Sequence, residues 1–268
     1  MHEDWRIEAG VFPERGRFFC IASAGCTAFA LAERGREVTA VDINPAQIAY
    51  VEDRLAGRPP RAGSAENKLA SFRRLQRLAG WTPSAVTEFC ALADVATQAV
   101  FWRERLDTRR LRAGLALILS RPALRRAYSP ALVAAVPERF DRAMRRRLER
   151  CFVRHPNRDN PYARFLLLGE AEQPAPRAGL ELTLACADAA SYLENVPPRS
   201  FDGFALSNVL DAAPAAYRRR LLTALRRAAA PGAVAVWRTF GEATTADEAE
   251  WAARDRSFLW GGVRVEPI

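Results

Sequence analysis

Residues 20–55 read CIASAGCTAFALAERGREVTAVDINPAQIAYVEDRL, and the architecture unfolds from this stretch. Arg17 to Ala22 is a short apolar run that reads as a strand. The small residues Ser23, Ala24 and Gly25 turn the chain, and a helical pattern follows from Cys26 to Arg34. Gly35 and Arg36 break that pattern. Val38 to Val41 reads as a second strand, closed by Asp42. Asn44 then suits an N-cap and Pro45 the first position of the next helix. Strand, tight turn, helix, strand, acid, helix is how a doubly wound α/β sheet begins.

Outward from there the alternation stops. Pro59, Pro60 and Gly63 mark a loop, and from about Arg58 to Glu172 helical patterns run on without strand signals. They are punctuated by Pro83, Pro122, Pro130, Pro137 and Pro156. Gln173 to Gly179 reads as a linker. The α/β pattern then resumes with strands at Glu181–Cys186, Phe201–Leu206 and Ala233–Trp237, a helix at Pro214–Ala229 and a last short strand at Val263–Val265. The predicted organisation is a Rossmann-like sheet from 1–57 and 173–268, interrupted by a helical insertion or cap at 58–172 that shapes an acceptor site.

Composition narrows the function classes. The chain has 268 residues, 49% of them hydrophobic, which is enough for a sizeable core. No apolar run approaches the length of a membrane span, and residues 3–5, Glu-Asp-Trp, do not open a signal peptide. Five scattered cysteines lack metal-ligand spacing, so the expectation is a reduced, cytoplasmic protein with no metal site. There are 40 Lys and Arg residues against 31 Asp and Glu, and Lys68 is the single lysine. The arginines cluster at 103–126 and 139–150. Basic helices of this kind are solvated faces or contacts with an anionic membrane. No aromatic platform accompanies them, so nucleic acid is not an expected partner.

In open α/β sheets, ligands sit beyond the carboxyl ends of the strands. The residues predicted there are Ser23, Ala24, Gly25, Cys26, Asp42, Ile43, Gln47, Ala187, Asp188, Ser207, Asn208 and Arg238. The Ser23–Cys26 turn lacks the glycines of a dinucleotide fingerprint and the Lys of a phosphate loop. Asp42 is placed to accept hydrogen bonds from ribose hydroxyls, or else to start the following helix. Asp188 meets an adenine amino group, or caps a helix. Arg238 holds a carboxylate, or lies on the surface. Asp211, Tyr162 and His155 are the candidates for receiving an acceptor's proton.

The quoted stretch resembles the betaine-lipid enzyme family, the BtaA-type S-adenosylmethionine:diacylglycerol 3-amino-3-carboxypropyltransferases. That family carries a Ser-Gly-Gly-Cys turn and an Asp-Leu-Asn-Pro-Ala-Gln segment. This chain has Ser23-Ala24-Gly25-Cys26 and Asp42-Ile43-Asn44-Pro45-Ala46-Gln47. Further similarity lies in EDWRIE (3–8), HPNRDNPYARFLLLGE (155–170), FDGFALSNVLD (201–211) and VAVWRTFGE (234–242). Ala24, Thr27 and Arg54 stand where the family has glycine, asparagine and lysine. The resemblance implies S-adenosyl-L-methionine as co-substrate. It further implies transfer of the 3-amino-3-carboxypropyl group to a hydroxyl of a lipid or small molecule, with release of methylthioadenosine. The residues alone leave open methyl transfer, an acceptor-free ring closure, and a non-catalytic nucleoside-binding module.

Overall fold

Short apolar runs bounded by Gly, Asp and Pro become the strands of a buried sheet. The computed structural model of the chain describes residues 3–58, 73, 76–170 and 175–268. Its strands are β1 (Arg17–Ile21), β2 (Glu37–Asp42), β3 (Thr183–Cys186), β4 (Phe201–Ala205), β5 (Ala229–Thr239) and β6 (Gly262–Pro267). They form one sheet in the order β3-β2-β1-β4-β5-β6. The first five are parallel and β6 runs antiparallel to β5. An antiparallel edge strand is common on otherwise parallel doubly wound sheets.

Alternation along β1 sends its side chains to both faces. Phe18 and Cys20 pack with Leu31, Val51 and Trp260, whereas Phe19 packs with Phe204, Leu193 and Leu225. The first face is covered by α1 (Arg6–Val11), α2 (Cys26–Ala32) and α3 (Pro45–Leu55). The second is covered by α11 (Ala189–Asn195) and α12 (Ala215–Ala228). As expected, Asn44 caps α3, its side chain accepting from the Ala46 N–H at 3.0 Å, with Pro45 next. Several bounds differ from the sequence reading, mostly by a residue or two. Residues 181–182 lie outside β3, α2 ends at Ala32, and β5 begins at Ala229. A register shift between Phe201 and Gly203 lets β5 take in Pro231 and Gly232. A bulge of this kind leaves no periodic trace in sequence.

Between β2 and β3 the described residues are helical: α4 (Pro83–Ala91), α5 (Val95–Phe101), α6 (Arg109–Ile118), α7 (Arg121–Ala127), α8 (Pro130–Ala135), α9 (Phe140–Phe152) and α10 (Pro161–Leu168). The loop expected at Pro59, Pro60 and Gly63 lies outside the described residues. These helices share a core of their own, centred on Trp102, Phe89 and Phe152, with ring centroids 4.8–6.3 Å apart. They join the sheet at the β5–β6 side. Arg147 on α9 donates to the carbonyls of Leu259, Phe240 and Gly241 at 2.8–2.9 Å. Burial lowers the Arg147 pKa to about 10. No helix among the described residues is long and apolar enough to cross a membrane.

Candidate functional site

The winding reverses where β1 lies beside β4, and the crevice of a doubly wound sheet opens there. Two serines flank this point, both with left-handed backbone: Ser23 after β1 (φ 45°) and Ser207 after β4 (φ 51°). The register pairs Cys20 with Ala205, so the two serines lie within a residue of each other along neighbouring strands. Left-handed non-glycine residues cost energy and gather at functional sites.

The turn after β1 is tied to the end of β2. The Ser23 N–H donates to Asp42 Oδ2 at 3.0 Å, and the Asn44 N–H donates to Asp42 Oδ1 at 2.9 Å. Asp42 thus turns one oxygen toward each flanking loop, and each oxygen retains a further lone pair. Gly25 caps α2 with φ 82°, where a Cβ would meet the Phe29 ring at 2.7 Å. Arg54 closes the turn from α3. It donates to the Ala24 carbonyl at 2.5 Å and to Cys26 Sγ at 3.1 Å, and its guanidinium lies 4.8 Å from the Phe29 ring centroid. Sequence reasoning noted Arg54 only as a departure from the family pattern.

Asp42 pairs with Cys186 in the ladder, so Ile43 and Ala187 leave neighbouring strand ends. The Ala187 N–H donates to the Asp42 carbonyl at 3.0 Å. Ile43 is 70% exposed, an apolar face beside a carboxylate. Gln47 sits half-buried in the first turn of α3. Asp188 is a helix cap: its Oδ1 accepts from the Ser191 N–H and hydroxyl at 2.9 and 3.0 Å. Burial alone would raise its pKa. Hydrogen bonds from Tyr217 and Ser191, with Arg220 nearby, bring it below the usual carboxylate range.

On the β4–β5 side the structure gives the candidates other roles. Arg238 is 3% exposed. It donates through both Nη atoms to the Glu8 carboxylate, through Nε to Asp255 at 3.1 Å and through Nη2 to the Asp4 carbonyl at 3.2 Å. Burial would lower its pKa, but Glu8, Glu3 and Asp255 together raise it well above its ordinary value. Its fork is therefore taken, and it does not hold a ligand carboxylate. Burial pushes the Glu8 carboxyl up, against the pull of Arg238. Next to it, Arg256 forks onto Asp4 at 2.6 and 2.8 Å, and Ser207 Oγ donates to Glu3. Four acids, Glu3, Asp4, Glu8 and Asp255, face two guanidiniums, so this end of the crevice has excess negative charge.

Of the three acid–base candidates, Asp211 lies beside the β4 and β5 ends, Tyr162 touches Glu3, and His155 contacts the Ala253 carbonyl. Tyr162 is 1% exposed and donates to the Glu3 carbonyl at 2.5 Å, under the Arg256 guanidinium. His155 bonds the Ala253 carbonyl at 2.9 Å through Nε2, joining the helical segment to α13 (Ala246–Arg254). Burial lowers its pKa. Asp211 ties two loops together, accepting from Thr239 Oγ1 at 2.6 Å, the Phe240 N–H at 2.8 Å and Asn208 Nδ2 at 3.4 Å. No family model, curated protein or solved structure matches this chain.

The described contacts of the helical segment reach the carboxyl edge at β5 and at Glu3, not at Asp42. β5 and β2 lie three strand spacings apart, about 14 Å. Among the described residues no group of three or more His, Cys, Asp or Glu side chains could hold a metal. Sequence reasoning missed the N-terminal acids. Their signal was present in EDWRIE, where Trp5 stacks under Arg34 at 3.9 Å while Glu3, Asp4 and Glu8 turn inward.

Proposed function

We propose that the chain binds S-adenosyl-L-methionine at the carboxyl edge of its sheet and transfers the 3-amino-3-carboxypropyl group to a hydroxyl acceptor. The observation that carries this reading is the pair of left-handed serines at the winding reversal, with Asp42 bonded to the first and Glu3 to the second. In this reading Asp42 accepts the ribose hydroxyls, whose donors its remaining lone pairs suit. Ile43 and Ala187 flank the adenine. The small Ser23–Cys26 turn lets backbone approach the amino acid half. The excess acid around Glu3 favours a co-substrate of net positive charge, as S-adenosylmethionine is with its sulfonium, ammonium and carboxylate. The choice of the γ-carbon over the methyl group rests on the family resemblance, since in-line geometry selects among the three activated carbons. The acceptor is a lipid or a small molecule.

Methyl transfer is the second reading. Arg238 is committed to Glu8 and Asp255, so it does not anchor the amino acid chain. Incubation with S-adenosylmethionine and lipid or metabolite extracts separates the two by the mass of the nucleoside released. Methylthioadenosine formed in proportion to enzyme is the expected product. S-adenosylhomocysteine alone would replace the proposal with methyl transfer, and binding without turnover in any extract would leave a nucleoside-binding module.

A further inference from the structure

The arginine clusters belong to two helices, and the fold brings them together. A cavity of about 440 Å³ lies between α6 and α9, lined by Arg112, Arg139, Asp141, Arg142, Arg145 and Arg146, with Leu115, Ala116 and the arginine stems making its surface largely apolar. That volume suits a small ligand. Positions 139, 142 and 145–146 recur at helical spacing and so share one face of α9. Arg112 meets them from α6.

Beneath the cavity, Asp107 fixes two of these groups. Arg112 donates to it through Nε at 3.1 Å and Nη2 at 2.8 Å. Arg145 donates through Nε at 2.8 Å and also through Nη2. Burial alone would raise the Asp107 carboxyl, but these two guanidiniums hold it at about 2. The carboxylate stays ionised and both forks are held in place. No described group accepts from Nη1 of either one, so each presents a pre-oriented pair of donors. Arg139 is paired with Asp141 at 3.0 Å, and Arg146 with the exposed Glu242 at 3.1 Å. The Arg142 side chain makes no hydrogen bond or ion pair with any described residue. Glu149 and Glu242 on the rim are themselves shared with Arg103 and Arg147. Among the residues that line the cavity, five are arginines and one, Asp141, is a carboxylate.

We propose that this cleft binds a phosphate-type dianion: a phosphate monoester, free or as a lipid headgroup. The fork of Arg142 matches phosphate oxygens bidentately, and Arg112 and Arg145, whose Nε and Nη2 are held by Asp107, add their Nη1 donors. The charge excess supplies the attraction, and the apolar wall at Leu115 and Ala116 receives the uncharged part of the ester. The site is separate from the Asp42 crevice, so its fate does not depend on the nucleoside reading.

Titration calorimetry of the full chain with inorganic phosphate and glycerol 3-phosphate, against sodium chloride at equal ionic strength, tests the proposal. Flotation with phosphatidylcholine vesicles, with and without phosphatidic acid, runs beside it. Saturable binding is expected in at least one arm, weakened about tenfold or more in Arg142→Gln, the scale of a charge-assisted hydrogen bond. The variant's Tm should equal that of the parent, because the Arg142 side chain has no described partner to lose. Calorimetric binding without flotation assigns a soluble ester, and flotation alone assigns a headgroup. Heat that merely tracks ionic strength with no selective flotation, or binding unchanged in Arg142→Gln, overturns the proposal.

Discussion

Replacing Arg238 with Met keeps most of the buried stem and removes the guanidinium. Glu8 and Asp255 then lose a partner that donates to both, in a place where neither reaches water. Breaking a buried pair from one side costs about 3–5 kcal/mol, because an uncompensated charge is left behind. Against a total stability of about 5–15 kcal/mol, that is a large share. The loss depends on pH with a definite sign. The Glu8 carboxyl is raised by burial, so the folded state holds its proton more tightly than the unfolded chain does. Its contribution to stability is present below its ordinary value of 4.5 and is lost as pH rises through the folded value. Without Arg238 that folded value moves higher and the window widens upward. Urea unfolding followed by circular dichroism should show Arg238→Met far less stable than the parent at pH 8, with part of the deficit recovered at pH 5.5. A deficit below about 1 kcal/mol at both pH values would refute this account of the network.

Two further outcomes follow from the same contacts. His155 is held neutral by burial, so its stabilisation is present above its ordinary value of 6.5 and lost as pH falls below it. His155→Gln, which retains a donor for the Ala253 carbonyl, should flatten the stability profile between pH 7 and 5, and an unchanged profile would remove that assignment. Gly25→Ala should cost about 1–3 kcal/mol, since it adds left-handed strain to a clash with Phe29. It should also weaken nucleoside binding by shifting the turn that meets Asp42, as calorimetry on the folded variant would read.

The sheet was legible because its chemistry is local. Buried parallel strands are short apolar runs, and Gly25, Asp42, Asn44 and Pro45 punctuate them within a few residues. The Ser23–Asp42 half of the crevice was legible for the same reason, since one βαβ unit supplies it. The other half was not. Arg238 ends a strand and reads as a free cation, yet its partner Glu8 lies 230 positions away in sequence. Tyr162 and His155 stand in a family-like segment, but the tertiary packing that buries them under Glu3 and against α13 has no periodic signature. Asp188 was ambiguous from sequence, and the structure shows its Oδ1 accepting from the Ser191 N–H as a helix cap does. The left-handed backbone at Ser207 follows from the turn as a whole and not from the residue type.

Binding of S-adenosylmethionine and methylthioadenosine to the parent chain and to Asp42→Ala, by titration calorimetry, tests the central claim most directly. The account predicts that the parent binds both nucleosides saturably. It predicts that Asp42→Ala, still folded by its circular dichroism spectrum, loses about 1.5–3 kcal/mol of affinity for each, the scale of hydrogen bonds to a charged group. Equal affinity in the folded variant, or no binding of either nucleoside to the parent, would contradict it.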